Sequence, residues 1–108
     1  MAKAEFISGE TEFDSLLGGD SVLVVDCTAT WCGPCRLVAP LMDKLAEEFE
    51  NRAKVFKIDI DQNKFVGTKF GLKSIPAVMF FKGGELKETL VGIKPYEKFS
   101  ETLEGYLS

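Results

Sequence analysis

The chain has 108 residues, enough for one domain with its own core, and a 45% hydrophobic content argues against disorder. Its net charge of −4 and its lack of a basic cluster argue against nucleic-acid binding. Histidine is absent, which removes Cys–His and Ser–His nucleophilic catalysis and every His-containing zinc site. Three cysteines are too few, and odd in number, for a secreted disulfide scaffold, so a disulfide here is expected to be catalytic. No apolar run approaches the roughly 20 residues needed to span a bilayer. Met1-Ala2-Lys3-Ala4-Glu5 carries no apolar signal stretch. The default expectation is a cytoplasmic protein, or one of an organelle stroma or matrix if a transit peptide has been removed.

Along the chain, Glu5 to Ser8 reads as a short first strand. Phe13, Leu16 and Leu17 fall at helical spacing, and Gly18-Gly19 ends that helix. Val22 to Val25 is continuously apolar, which suits a central strand covered on both faces. From Pro34 to about Glu50 the period changes, and Leu37, Val38, Leu41, Met42, Leu45, Ala46 and Phe49 form one helical stripe. Pro34 suits the first helical position, whereas Pro40 lies inside and should kink the helix.

Ala53 to Ile60 reads as the next strand. Asp61 is expected to cap a short helix holding Phe65, Val66 and Phe70, with Gly71 closing it. Ala77 to Phe81 forms a strand that Gly83-Gly84 turns back into Glu85 to Val91. Pro95 opens a final helix carrying Phe99, Leu103 and Leu107, although Lys94 before it is a poor cap. The order β-α-β-α-β-α-β-β-α predicts an α/β fold in one domain over residues 1–108. Its mixed five-stranded sheet has three parallel strands plus an antiparallel hairpin, flanked by four helices. Nine Phe residues predict an aromatic-rich core.

Trp31-Cys32-Gly33-Pro34-Cys35 lies where the central strand gives way to the long helix. Thiolate is the reactive form of cysteine, with a free pKa of about 8.5. A helix N-terminus favours a nearby anion by up to about 2 kcal/mol, and one pKa unit is about 1.4 kcal/mol. That is enough to bring Cys32 near neutrality, which suits exchange. Cys32, ahead of the helix and expected to be exposed, is the candidate nucleophile. Cys35, expected to be more buried, is the candidate resolving thiol, and Gly33-Pro34 stiffens the turn between them. Half a zinc site and a structural disulfide are the alternatives; the first lacks its other ligands and the second closes too small a loop to constrain much.

Asp26 interrupts an apolar strand, so burial should raise its pKa and fit it to accept the proton of Cys35. The alternative ends the strand at Asp26 in solvent. Lys57, on a neighbouring strand, is either a tuning charge for Asp26 or a plain surface lysine. Cys27 should point to the opposite face as a core filler, a regulatory or dimer-forming thiol being the minority reading. Trp31 is read both as contact surface and as a shield for the thiols. Ile75-Pro76 is expected to be trans on residue statistics alone.

Taken together, Val25-Asp26, Ala29-Thr30-Trp31-Cys32-Gly33-Pro34-Cys35, Lys57-Ile58-Asp59, Phe70-Gly71-Leu72-Lys73-Ser74-Ile75-Pro76, Phe81-Lys82-Gly83-Gly84 and Val91-Gly92 resemble the thioredoxin family over nearly the whole chain. The resemblance implies a cis Pro76 beside the disulfide, helping to exclude metal, and an Ile75 backbone that pairs with substrate main chain. It places Gly92 on one flat docking surface with Trp31 and maps the family's buried acid and its lysine partner to Asp26 and Lys57. It also marks Gly33-Pro34 as a reducing insert. Ionisation of the first thiol near neutrality is known behaviour for this family, and the resemblance implies it for Cys32.

The implied activity is protein-disulfide reduction on disulfide-containing client proteins by a monomer, with a separate thioredoxin reductase as reductant and no cofactor, metal, nucleic acid or membrane partner. Cys27-Thr28 departs from the family's usual aromatic pair, and Ala77 replaces its common Thr. Two competing functions remain at this stage: a binding or assembly module using the same face without redox turnover, and a metal site at the cysteine pair.

Overall fold

The computed structural model describes residues 3–108. In chain order its elements are β1 (Glu5–Phe6), α1 (Glu10–Leu17), β2 (Val22–Thr28), α2 (Cys35–Glu48), β3 (Ala53–Asp59), α3 (Phe65–Phe70), β4 (Ala77–Lys82), β5 (Glu85–Val91) and α4 (Tyr96–Leu107). The sheet order is β1-β3-β2-β4-β5. β1 and β2 both run parallel to β3, β4 runs antiparallel to β2, and β5 runs antiparallel to β4. The mixed sheet with its parallel half and terminal hairpin is therefore as the sequence predicts. β1 is shorter than expected, with the Ile7 amide adding one further bond to the Lys57 carbonyl at 2.7 Å.

β2 is longer than its apolar run: it continues through Asp26 and Cys27 to Thr28, paired on both sides. Alternation divides it between two cores. Val22 and Val24 face α2 and α4, packing with Val38, Met42, Leu45, Phe49, Phe99 and Leu103. Leu23, Val25 and Cys27 face the other way, among Phe13 of α1, Val66 of α3, Ile58, Met79 and Phe81. Phe13 anchors that second core, its ring 5.5 Å from Phe65 and 5.6 Å from both Phe70 and Phe81, with edge or tilted geometry.

Four local expectations change. Leu37 is 61% exposed rather than part of the α2 stripe. At about 100° per residue the buried Val38, Met42, Leu45, Ala46 and Phe49 share one arc, and Leu37 falls beyond its edge. Pro34 sits one position ahead of α2, already helical at φ −59°, and Pro40 is carried inside α2 without ending it. Asp61 does not cap α3. β3 ends at Asp59, whose Oδ1 accepts the Asp61 and Gln62 amides at 2.8 and 3.1 Å. Asn63 Nδ2 donates to the Asp59 carbonyl, and α3 begins only at Phe65, beyond the reach of a capping Asp61. Gly71 does close α3 at φ 64°, a left-handed conformation. Pro95 stands extended at the cap position of α4, so Lys94 is not the cap.

Candidate active site

The site forms where β2 leaves the sheet. The Cys32 amide turns back to the Ala29 carbonyl at 3.2 Å, and Arg36 and Leu37 amides bond the Gly33 and Pro34 carbonyls at 3.0 and 3.1 Å. This winds the Cys-Gly-Pro-Cys segment directly into α2. Cys32 and Cys35 are joined in a disulfide with their Cα atoms 5.3 Å apart. The Cys35 amide, at the first residue of α2, donates to Cys32 Sγ at 3.2 Å. One of the unpaired donors of the helix start is therefore already aimed at the first sulfur, where it would favour negative charge.

The expected contrast in exposure is not seen. Cys32 is 4% exposed and Cys35 2%, and both pack with Ala29, Ile60 and Ile75. Both bonded cysteines are buried, while Gly33 and Pro34 between them are exposed.

Ile75-Pro76 is cis, as the family resemblance implies and contrary to the residue statistics. Trp31 and Ile75 line an apolar groove of about 290 Å³ with Ile60, Gly67, Leu72 and Lys73. Gly92 is tied to this region by its amide, which donates to the Pro76 carbonyl at 2.8 Å, and its φ of 93° suits glycine. Val91 and Ile93, flanking Gly92, are about half exposed, and Trp31 is 66% exposed. Sequence reading missed what holds Trp31: its indole Nε1 donates to Asp61 Oδ2 at 2.7 Å.

Asp26 is fully buried, and neither carboxyl oxygen has a hydrogen-bond partner among the described residues. Burial raises its pKa to about 7; the Lys57 charge opposes this and the Asp43 charge adds to it. The reading in which Asp26 ends the strand in solvent is thereby removed. Lys57 stands directly across from Asp26 in the parallel register, yet its ammonium pairs with Asp43 Oδ1 of α2 at 3.2 Å. Asp43 was not singled out by sequence, where it reads as one more polar residue of α2. Cys27 is buried on the opposite face as expected, and burial, then the Asp26 charge, pushes its thiol up. Among the described residues, no cluster of three or more Cys, Asp or Glu is placed to hold a metal.

A strand-to-helix disulfide beside a cis proline and a buried acid can be compared with known proteins. The family model Thioredoxin matches residues 5–105. The chain belongs to the thioredoxin family. Thioredoxin 1 of a Nostoc species is 40% identical over 107 residues, covering 99% of this chain and 100% of the relative. The chloroplastic M-type thioredoxin of Pisum sativum is 39% identical over 94% of this chain, which spans 59% of that longer protein. The crystal structure of Malassezia sympodialis thioredoxin superposes with a TM-score of 0.91 at 29% identity, covering 100% of this chain and 94% of that one. As a thioredoxin, the protein is a thiol–disulfide oxidoreductase, and Cys32–Cys35 is its redox disulfide. No helix among the described residues is long and apolar enough to cross a membrane.

Proposed function

We propose that this thioredoxin is a protein-disulfide reductase in which Cys32 is the nucleophile and Cys35 the resolving thiol. The observation that carries this reading is the Cys35 amide directed at Cys32 Sγ from the first residue of α2. In the reduced protein, the Cys32 thiolate attacks one sulfur of a client disulfide. The client S–S bond breaks, a Cys32–client disulfide forms, and the other client sulfur leaves as a thiolate and takes a proton. Cys35 then gives its proton to the Asp26 carboxylate, directly or through one water, and attacks Cys32 Sγ. The Cys32–Cys35 bond closes and the second client thiol is released. Two electrons have passed to the client, and a separate thioredoxin reductase returns them.

Around this chemistry, Gly33 and Pro34 set the redox poise and Lys57 tunes Asp26. Trp31, Ile75, Pro76 and Gly92 form the client-docking face. The apolar groove lined by Trp31 and Ile75, and the exposed Val91 and Ile93, support that assignment. The chain works as a monomer and a single domain, in the cytoplasm or in an organelle stroma or matrix. The chloroplastic and Nostoc relatives are compatible with either compartment.

Insulin-disulfide reduction, driven by a thioredoxin reductase, tests the roles. Cys32→Ser should abolish turnover, and Cys35→Ser should accumulate mixed disulfides through Cys32 that mass spectrometry identifies. Retained turnover in Cys32→Ser, or no trapped species in Cys35→Ser, would overturn the assignment.

A further inference from the structure

The parallel register sets Lys57 beside Asp26 on one face of the sheet, close enough in principle for a buried ion pair. That pair is not made. The Lys57 ammonium lies 3.2 Å from Asp43 Oδ1, and the Asp26 oxygens have no partner among the described residues. Asp43 is itself held in place, because the same Oδ1 accepts the Ala4 amide at 3.1 Å. A main-chain tie from the N-terminal segment thus fixes an acid on α2, and that acid holds a lysine on β3.

The surroundings of Asp26 leave few other charges to consider. β3 offers Lys57; Asp59, two residues on, is turned into the following loop by the Asp61 and Gln62 amides. α2 offers Asp43, while Arg36 reaches outward to the Thr30 carbonyl. β4 places Val78 opposite, and α4 contributes Phe99 and Leu103 to this core, with Tyr96 directed to Glu48. Cys27 points away on β2.

We propose that Asp43 is a positioning residue for the redox reaction: by holding the Lys57 ammonium away from Asp26, it decides when Asp26 can exchange a proton with the thiol pair. This rests on the proton-accepting role given to Asp26 above. Asp43 acts twice in the same direction. Its own negative charge disfavours ionisation of Asp26, and its grip on Lys57 keeps the opposing positive charge from closing on Asp26. With the Asp43 charge removed, Lys57 is free to turn toward the buried carboxyl, and Asp26 ionises at lower pH.

The test is a carbon-13 NMR titration of the Asp26 carboxyl in the oxidised full chain. It is paired with the pH dependence of insulin reduction by the reduced chain. Asp43→Asn keeps an oxygen for the Ala4 amide, and it should lower the Asp26 midpoint by about 1 unit or more. The limb of the pH–rate profile governed by Asp26 should move the same way, and Asp43→Glu should restore both. In a Lys57→Met background, Asp43→Asn should shift the midpoint less, since only the Asp43 charge is then lost. An unmoved midpoint in folded Asp43→Asn overturns the proposal alone. A midpoint that moves while the rate profile stays fixed overturns the role given to Asp26, and this proposal with it. If Asp43→Asn does not fold, Asp43→Ser carries the same comparison.

Discussion

Replacing Asp26 with Asn isolates the cost of a buried, unpartnered carboxyl. The side chain is fully buried, and burial carries its pKa from an ordinary 3.8 to about 7. At 1.36 kcal/mol per pKa unit, ionising it in the folded state costs about 4 kcal/mol more than in the unfolded chain. The folded protein holds this proton more tightly than the unfolded one, so folding stability falls as pH rises from about 4 to about 7, and the loss is complete above that window. Near pH 4, where Asp26 is neutral in the folded state and only partly ionised in the unfolded chain, Asp26→Asn should match the parent to within about 1 kcal/mol; near pH 8.5 it should be more stable by about 4 kcal/mol. Urea denaturation of the oxidised proteins across this range measures the difference. A gap that does not widen between pH 4 and 8.5 would show that Asp26 is not held neutral by its burial, and the reasoning would fail.

Two further outcomes follow from the packing. Phe13→Ala removes a fully buried ring that touches three others, and it should cost about 3–5 kcal/mol in the same denaturation assay. A loss under about 1 kcal/mol would mean the second core does not depend on that ring. Asp61→Ala frees the indole of Trp31, the chain's single tryptophan, and should speed its fluorescence anisotropy decay and raise KM for insulin with little change in kcat. Unchanged decay would show that the 2.7 Å bond does not restrain the ring in solution.

The sequence pattern exposed the sheet and the redox pair because each depends on local, periodic signals. The apolar Val22–Val25 run identified the central strand, and Pro34 beside the cysteines marked the helix start. What stayed hidden depends on three-dimensional neighbours. Asp59 and Asp61 lie two residues apart, and only the point where β3 ends decides that the first shapes the loop while the second reaches Trp31. Asp43 looks like any polar residue on a helix until β3 brings Lys57 beneath it. Leu37 sits next to a true core position and differs from it by one step of helical rotation. Residue statistics favour a trans bond at Ile75-Pro76, and the cis form was foreshadowed only by likeness to a family.

The redox bond bridges residues only three apart at the mouth of a helix whose remaining turns are secured elsewhere. Cutting a crosslink that short frees almost no chain, so loading the protein with two electrons does not require the scaffold to rearrange. What differs between the two redox forms is then confined to the turn that enters the long helix, while the sheet and both cores need not change.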